Sequence, residues 1–455
     1  MKTNKLFLFT LVAAIFASCE SKLEIDPRQR QDAALALSTE KGVTDVLTGT
    51  YAILATGGIY GGRTQVSAEL LAQTGVTATT DFRWRGTFAE FRQMYGKTML
   101  VNNGLVQTIW ANSYEAINSA NIVIDNIGLV EDPTKAKTMI AEAKFIQSLV
   151  YFDLVRLFAK PYDATVTNSQ LGVVIRPKAI YDFNADLSLE RSTVDQVYNV
   201  IISGLNQAYT DLPTDNDFYA NKYAAKALLA RVYLQQQNYT AALSAANEVI
   251  TDSGAELSPT FKDAFNHDVN QIEDIFAIQI TKQTGDNQLV NHYGSEDVGG
   301  RGGDVEIRTT YLNKFDDPND ERRNFNYINP DNGRRLTSKY ISQFGDVNII
   351  RLAEMYLIRA ECNSRLGSTT GATPLDDINL LRTRAKATTF ASVTLTQILR
   401  ERVLELAMEG FAIHDIKRTK GSIGTAYPWN SDKLVFPIPL RETDYNKKIT
   451  QNPGY

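Results

Sequence analysis

Apolar residues spaced three and four apart recur along most of the chain and mark amphipathic helices. They predict helices over Thr44–Ala55, Tyr114–Ile127, Met139–Phe158, Val194–Leu212, Tyr223–Gln236 and Thr240–Asp252. Three more are expected at Ile349–Leu366, Leu375–Lys386 and Leu395 to about Lys417. Gly57-Gly58-Ile59-Tyr60-Gly61-Gly62 closes the first helix, because glycine accepts the left-handed turn. Pro133 separates the second and third helices, and Pro213 stops the fourth. Between Leu257 and Lys339 the helical period is lost. Alternation in Asp274-Ile275-Phe276-Ala277-Ile278-Gln279 predicts a strand, and Gly299-Gly300-Arg301-Gly302-Gly303 a flexible surface loop. The fold expected is mainly α: a helical scaffold with a long irregular, loop-rich insertion and a few short strands.

Leu229-Ala230, Tyr233, Tyr239 and Ala242 fall at the offsets of a tetratricopeptide helix pair, and Leu352-Ala353, Tyr356 and Gly367 echo its first half. Small residues let two helices approach while aromatics fill the gaps. No fixed period recurs, so an ordinary paired-helix bundle is the competing reading.

The N-terminus changes the picture. Met1-Lys2-Thr3-Asn4-Lys5 is positive, Leu6 to Ala17 is apolar, and the chain turns polar at Glu20. This run is too short to span a bilayer, which needs about 20 apolar residues, and it fits an export signal. Ala17-Ser18-Cys19 at its end resembles a bacterial lipobox, which makes residues 1–18 a signal peptide and Cys19 the lipidated N-terminus. The acyl chains would supply a membrane anchor, at about 0.8 kcal/mol per buried methylene. The other cysteine, Cys362, sits in a helical apolar pattern and is expected to be a small buried hydrophobe.

The 455 residues are 43% hydrophobic and 22% charged, enough apolar material for a large core and too much for bulk disorder. The net charge of -5 and the absence of a basic run give no nucleic-acid footprint. The three histidines, His267, His292 and His414, form no HExxH, and no GxSxG, P-loop or paired-cysteine metal spacing occurs. His414 is expected to be a core hydrogen-bonder. Asp316-Asp317-Pro318-Asn319-Asp320-Glu321-Arg322-Arg323 lacks EF-hand spacing and is expected to be a turn pinned by Arg–carboxylate pairs. No catalytic residue, cofactor or metal is assigned.

Four segments in order resemble the SusD/RagB family. They are Ala141–Phe145 leading into Val150–Phe158, Ile350–Glu361, Arg400–Phe411 with His414–Arg418, and the tail Phe436-Pro437-Ile438-Pro439 with Gln451–Tyr455. Within the third, Arg402 is expected to reach Glu405, with Glu401, Glu405 and Glu409 along one polar side. The resemblance implies a tetratricopeptide-like scaffold in a single domain, 19–455. Residues 19–256 would form its N-terminal helical half, 257–348 an insertion, and 349–455 the C-terminal helices and extended tail. It implies a lipid-anchored outer-membrane protein facing outward that binds an oligosaccharide, or in some members a peptide. It also implies a SusC-like, TonB-dependent transporter as partner, over which the protein sits as a lid. A surface glycoside hydrolase on the same scaffold is the enzymatic alternative, and it needs two carboxylates about 5 to 10 Å apart.

Sugar binding calls for exposed rings beside charged hydrogen-bonders. Asp81-Phe82-Arg83-Trp84-Arg85 has that composition, with Tyr60 nearby in sequence. In the insertion, Asn291, His292, Tyr293 and Arg301 are comparable. The ligand is therefore expected where the Phe82–Trp84 segment meets the His292–Tyr293 segment, with Trp84 as its principal stacking ring. Trp110 and Trp429 are expected to be structural.

Overall fold

The computed structural model describes residues 37–75, 78–182, 184–283 and 285–455; Cys19 and the apolar run before it lie outside them. The chain opens with α1 (Glu40–Ala55), α2 (Arg63–Leu71), β1 (Phe82–Trp84) and α3 (Ala89–Gly96). Long helices follow: α4 (Gly104–Asp125), α5 (Pro133–Phe158), α6 (Val194–Asp211), α7 (Lys222–Gln235) and α8 (Tyr239–Asp252). The insertion contains β2 (Asp274–Ile278), α9 (Gln288–Tyr293), β3 (Val305–Ile307), α10 (Thr309–Leu312), α11 (Glu321–Asn324), β4 (Asn326–Ile328) and β5 (Arg335–Thr337). The C-terminal part holds β6 (Val347–Arg351), α12 (Leu352–Leu366), α13 (Pro374–Arg384), α14 (Leu395–Glu405), α15 (Ala412–Arg418), β7 (Ser422–Ile423), β8 (Tyr427–Pro428) and α16 (Leu440–Tyr445).

The helices begin where the sequence supplies caps. Asp132 accepts hydrogen bonds from the Thr134 and Lys135 amides, and Pro133 takes the first helical position of α5, where a missing N–H costs nothing. Thr193 and Gln196 close a capping box on α6, and Thr394 and Gln397 do the same on α14. Helix α5 packs between α4 and α6, α6 on α7, α7 on α8, and α8 on α12, which carries α13 and α14. Each helix thus covers the next, as in a tetratricopeptide array. Ala224, Ala227, Ala242 and Ala246 are fully buried where α7 meets α8, and small residues there bring the axes close. Cys362 is buried and unpaired.

Two long helices expected from the sequence are interrupted. The Ile349–Leu366 run begins as β6, which pairs antiparallel with β2, and becomes helical only at Leu352. The run from Leu395 to Lys417 breaks into α14 and α15. Met408 and Gly410 adopt positive φ there, and a Cβ on Gly410 would stand 2.9 Å from Gln65 Cα. Close approach of α2 therefore requires the glycine and turns the chain.

The insertion is not loose. Its strands pair antiparallel with distant partners, β1 with β3 and β2 with β6, while β4 and β5 form a hairpin. The Gly299–Gly303 loop is packed rather than flexible: a Cβ on Gly300 would meet Gly294 O at 2.2 Å, and one on Gly303 would meet Leu336 Cδ2 at 2.1 Å.

Buried charges tie this region to the C-terminal helices. Arg351 meets Glu273 at 2.7 Å and Glu409 at 2.8 Å, and Arg384 meets Glu273 at 2.7 Å and also Glu405. Arg322 bridges Asp320 and Glu401 at 2.7 Å each, which bears out the Arg-pinned turn. The pairing expected within α14 is wrong: Arg402 holds Asp415 at 2.9 Å and Glu354 at 3.5 Å, not Glu405. The Glu401, Glu405 and Glu409 side chains are interior, because the cations that neutralise them come from other elements.

Candidate functional site

The two segments singled out for ligand meet, although more than two hundred positions separate them. Strand β1 pairs with β3 in the register Phe82↔Ile307, Arg83↔Glu306, Trp84↔Val305. Bonds from Arg85 N to Asp304 O (2.6 Å) and from Arg308 N to Asp81 O (2.9 Å) extend the ribbon at both ends. Gln73 fixes where it starts, its Oε1 accepting from the Asp81 amide at 3.1 Å, the Phe82 amide at 3.2 Å and the Thr80 hydroxyl at 2.8 Å.

Side chains alternate across a strand, and this sorts the candidates into two faces. Phe82 and Trp84 point inward with Val305 and Ile307, and all four are buried. Trp84 is only 6% exposed. Its ring lies 5.0 Å from Phe91 and 6.0 Å from His292, and Phe82 packs 5.0 Å from Tyr311. Tyr293 is fully buried, 5.4 Å from Tyr340. Tyr60 is also buried, but away from the ribbon, donating to Leu149 O of α5 at 3.0 Å. The expectation of exposed stacking rings therefore fails for Trp84, Phe82, Tyr60, His292 and Tyr293. These rings are core, because strand alternation and helix packing turn them away from water.

His292 is pinned by Asp304, its Nδ1 lying 2.9 Å from Oδ2. Burial holds the imidazole below its ordinary range, although Asp304 pulls the other way. His414 is buried likewise, and burial, then Arg156, Lys417 and Arg231, hold it well below the ordinary value.

The outward face carries Arg83, Arg85, Glu306 and Arg308. Arg85 Nε bonds Glu306 at 2.7 Å, and Arg308 Nη1 lies 3.5 Å from the same carboxylate. Arg83 is half-buried and has no ion pair among the described residues. Burial pushes the neighbouring Tyr95 phenol up, while a hydrogen bond with Thr80, and then Arg83, Arg308 and Arg85, act to lower it. Beside them Arg301 lies over the half-buried ring of Phe88, 4.7 Å from its centroid, and donates to Thr87 Oγ1 at 3.2 Å. Asn291 is half-buried and accepts from the Arg301 amide through its carbonyl at 3.0 Å. Asp81 closes the ribbon's edge in a 2.6 Å ion pair with Lys314. Three guanidinium groups against one carboxylate leave this face positively charged, and each guanidinium presents a planar fork for carboxylate, sulfate or paired hydroxyls.

Glu306, Arg308, Thr87 and Phe88 escaped the sequence reading. The Val305-Glu306-Ile307-Arg308 alternation was a signal for the first two. Among the described residues no group of three or more His, Cys, Asp or Glu could hold a metal ion, and no helix is long and apolar enough to cross a membrane.

Residues 23–234 match a family model described as "Starch-binding associating with outer membrane", and residues 293–433 match the SusD family. SusD-like protein P2 of Formosa agariphila is 26% identical over 100% of both chains. The starch-binding protein SusD of Bacteroides thetaiotaomicron is 33% identical, over 24% of this chain and 22% of its own. Among solved structures, a SusD superfamily protein from Bacteroides thetaiotaomicron superposes with a TM-score of 0.81 at 24% identity, covering 91% of this chain and 100% of its own. A putative sugar binding protein from Bacteroides vulgatus gives 0.80 at 24% identity, covering 92% and 99%. With two family models in sequence along the chain and its helical array shared with these structures, the protein belongs to the SusD/RagB family.

Proposed function

We propose that this protein is a surface lipoprotein, anchored through Cys19, that binds an oligosaccharide on the outward face of the β1–β3 ribbon. It passes the ligand to a TonB-dependent, SusC-like transporter in the outer membrane. The observation that carries the reading is the ribbon: two segments distant in sequence join so that Arg83 lies across from Glu306 and Arg85 and Arg308 share that carboxylate, on one face. The family description as starch-binding and outer-membrane-associated supports the saccharide and the location. The surplus positive charge suits a saccharide bearing carboxylate or sulfate groups, whose oxygens match the guanidinium fork. Phe88 under Arg301 offers a half-buried ring beside these groups. Binding on so shallow a face falls between micromolar and millimolar, about -8 to -4 kcal/mol.

Calorimetry with neutral and acidic oligosaccharides, combined with chromatography of the recovered sugars, tests this. Saturable binding of an acidic oligosaccharide that is recovered intact is the expected result. Binding of none of them would overturn the reading, and steady cleavage abolished by a single carboxylate substitution would replace it with a hydrolase.

A further inference from the structure

A cavity of about 350 Å³ lies between the α2–β1 connection and the α14–α15 pair, lined at the start of β1 by Asp81 and Phe82 and by none of Arg83, Arg85 and Arg308. Its volume is near the lower end of the range of about 300–1,000 Å³ for small-molecule sites. One wall is apolar, built by Leu399, Val403, Leu406, Phe411 and Ile416. The opposite side carries Glu69 and Asp81.

Among the described residues the charged groups around this space are ion-paired except Glu69, and Arg402 keeps one buried nitrogen, Nη1, without a hydrogen-bond partner. Asp81 holds Lys314 at 2.6 Å. Asp415 is shared by Arg402 at 2.9 Å and Arg418 at 2.7 Å. Glu69 differs: its side chain is buried, the residue being 1% exposed, and Oε2 has no hydrogen-bond partner. An unsatisfied buried polar atom costs about 1–3 kcal/mol, so it calls for a partner or a purpose.

We propose that this cavity binds one neutral sugar ring, with its C–H face on the Val403–Leu406 wall and a hydroxyl bonded to Glu69 Oε2. The chemistry selects this class. An anion would meet the carboxylates of Asp81 and Asp415, and the cations beside them, Lys314, Arg402 and Arg418, are already paired with those carboxylates. A cation would need Glu69 ionised, whereas burial, and then Asp81, push that carboxyl up to about 8. A neutral carboxyl both donates and accepts, as a sugar hydroxyl does. The volume suits a single ring or a short chain end, whereas the ribbon's open face suits a longer chain. The site does not depend on the ribbon reading, because none of Arg83, Arg85, Glu306 and Arg308 lines it.

The test is saturation-transfer NMR and calorimetry on the detergent-solubilised full-length protein, with free glucose, galactose, mannose, xylose, fucose and N-acetylglucosamine as probes. At least one should bind saturably at millimolar concentration. Val403→Trp, which fills the cavity from its half-buried rim, should weaken it at least tenfold. Glu69→Leu should do the same, and Arg83→Gln should leave it unchanged. If Val403→Trp does not fold, Leu399→Trp fills the same space from the rim. No binding by any of the six sugars would overturn the proposal. So would binding that survives both the filling variant and Glu69→Leu.

Discussion

The α4–α8 array and the charged hub of the C-terminal part are equally buried, yet different physics holds them. In the array, Phe145, Leu149, Ile201, Leu228 and Val249 meet other apolar groups, and burial at roughly 25 cal/mol per Å² is non-directional. In the hub, Arg322, Arg351 and Arg384 meet Glu273, Glu401 and Glu405 in direct contact. Such pairs contribute little net stability over an apolar equivalent, but removing one member strands its partner. An array of the first kind tolerates drift in sequence. The second kind fixes one arrangement. Glu273, Arg322 and Lys339 come from the insertion and Glu401, Glu405 and Glu409 from the α14 region, so the hub is what holds an insertion of little regular structure at a defined place beside β1.

The sharpest way to break that contrast is Glu405→Ala. Arg384, Arg351 (3.2 Å) and Arg322 (3.7 Å) would all lose the same carboxylate. Destabilisation of about 4 kcal/mol, or loss of folded protein, is expected in urea unfolding. A loss below about 1 kcal/mol would mean that the hub is solvated and the contrast false. Trp84→Ala comes next, at about 3 kcal/mol, because it opens a cavity beside Phe91 and His292. Ile201→Val in the array should cost only about 1 kcal/mol by the same measurement.

Acid sharpens the comparison without mutation. Burial works to raise the Glu405 carboxyl, but Arg384, Arg351 and Arg322 outweigh it and hold it down to about 2, against 4.5 when unpaired. Glu409 and Asp415 are lowered by Arg neighbours as well. A folded-state value below the unfolded one gives stability that is present above about pH 4.5 and is lost as pH falls towards 2. The urea midpoint should therefore drop steeply across that window. An unchanged midpoint from pH 5 to 3 would contradict the ion pairing. The smallest effect belongs to Arg83→Gln, a surface change expected to move stability by less than about 0.5 kcal/mol.

How much of this was readable in the sequence follows from whether the cause is local. Helix α5 was legible because apolar period, length and Pro133 all sit within it. The break after α14 was not, because its cause is the Gln65 backbone, whose Cα lies 2.9 Å from where a Cβ on residue 410 would stand. Arg402 was assigned to Glu405 by helical spacing, whereas its partners Asp415 and Glu354 lie on α15 and α12. The site was half legible. Phe82-Arg83-Trp84-Arg85 shows period-two alternation, which means rings on one face and charges on the other. Reading its composition rather than its period put Trp84 at the ligand and left the arginines beside it as accessories. The approach of Phe82–Trp84 to His292–Tyr293 was anticipated and is seen in the 6.0 Å between the Trp84 and His292 rings, but the β1–β3 ladder beside it needed the structure.

Calorimetric titration of an acidic oligosaccharide into the wild type and the Arg83→Gln/Arg308→Gln double variant tests the central claim most directly. The account predicts at least tenfold weaker binding by the variant, with an unchanged urea midpoint, and wild-type affinity that falls as salt rises. Equal affinity in the two proteins, or binding indifferent to salt, would contradict it and remove the ribbon face from the ligand site.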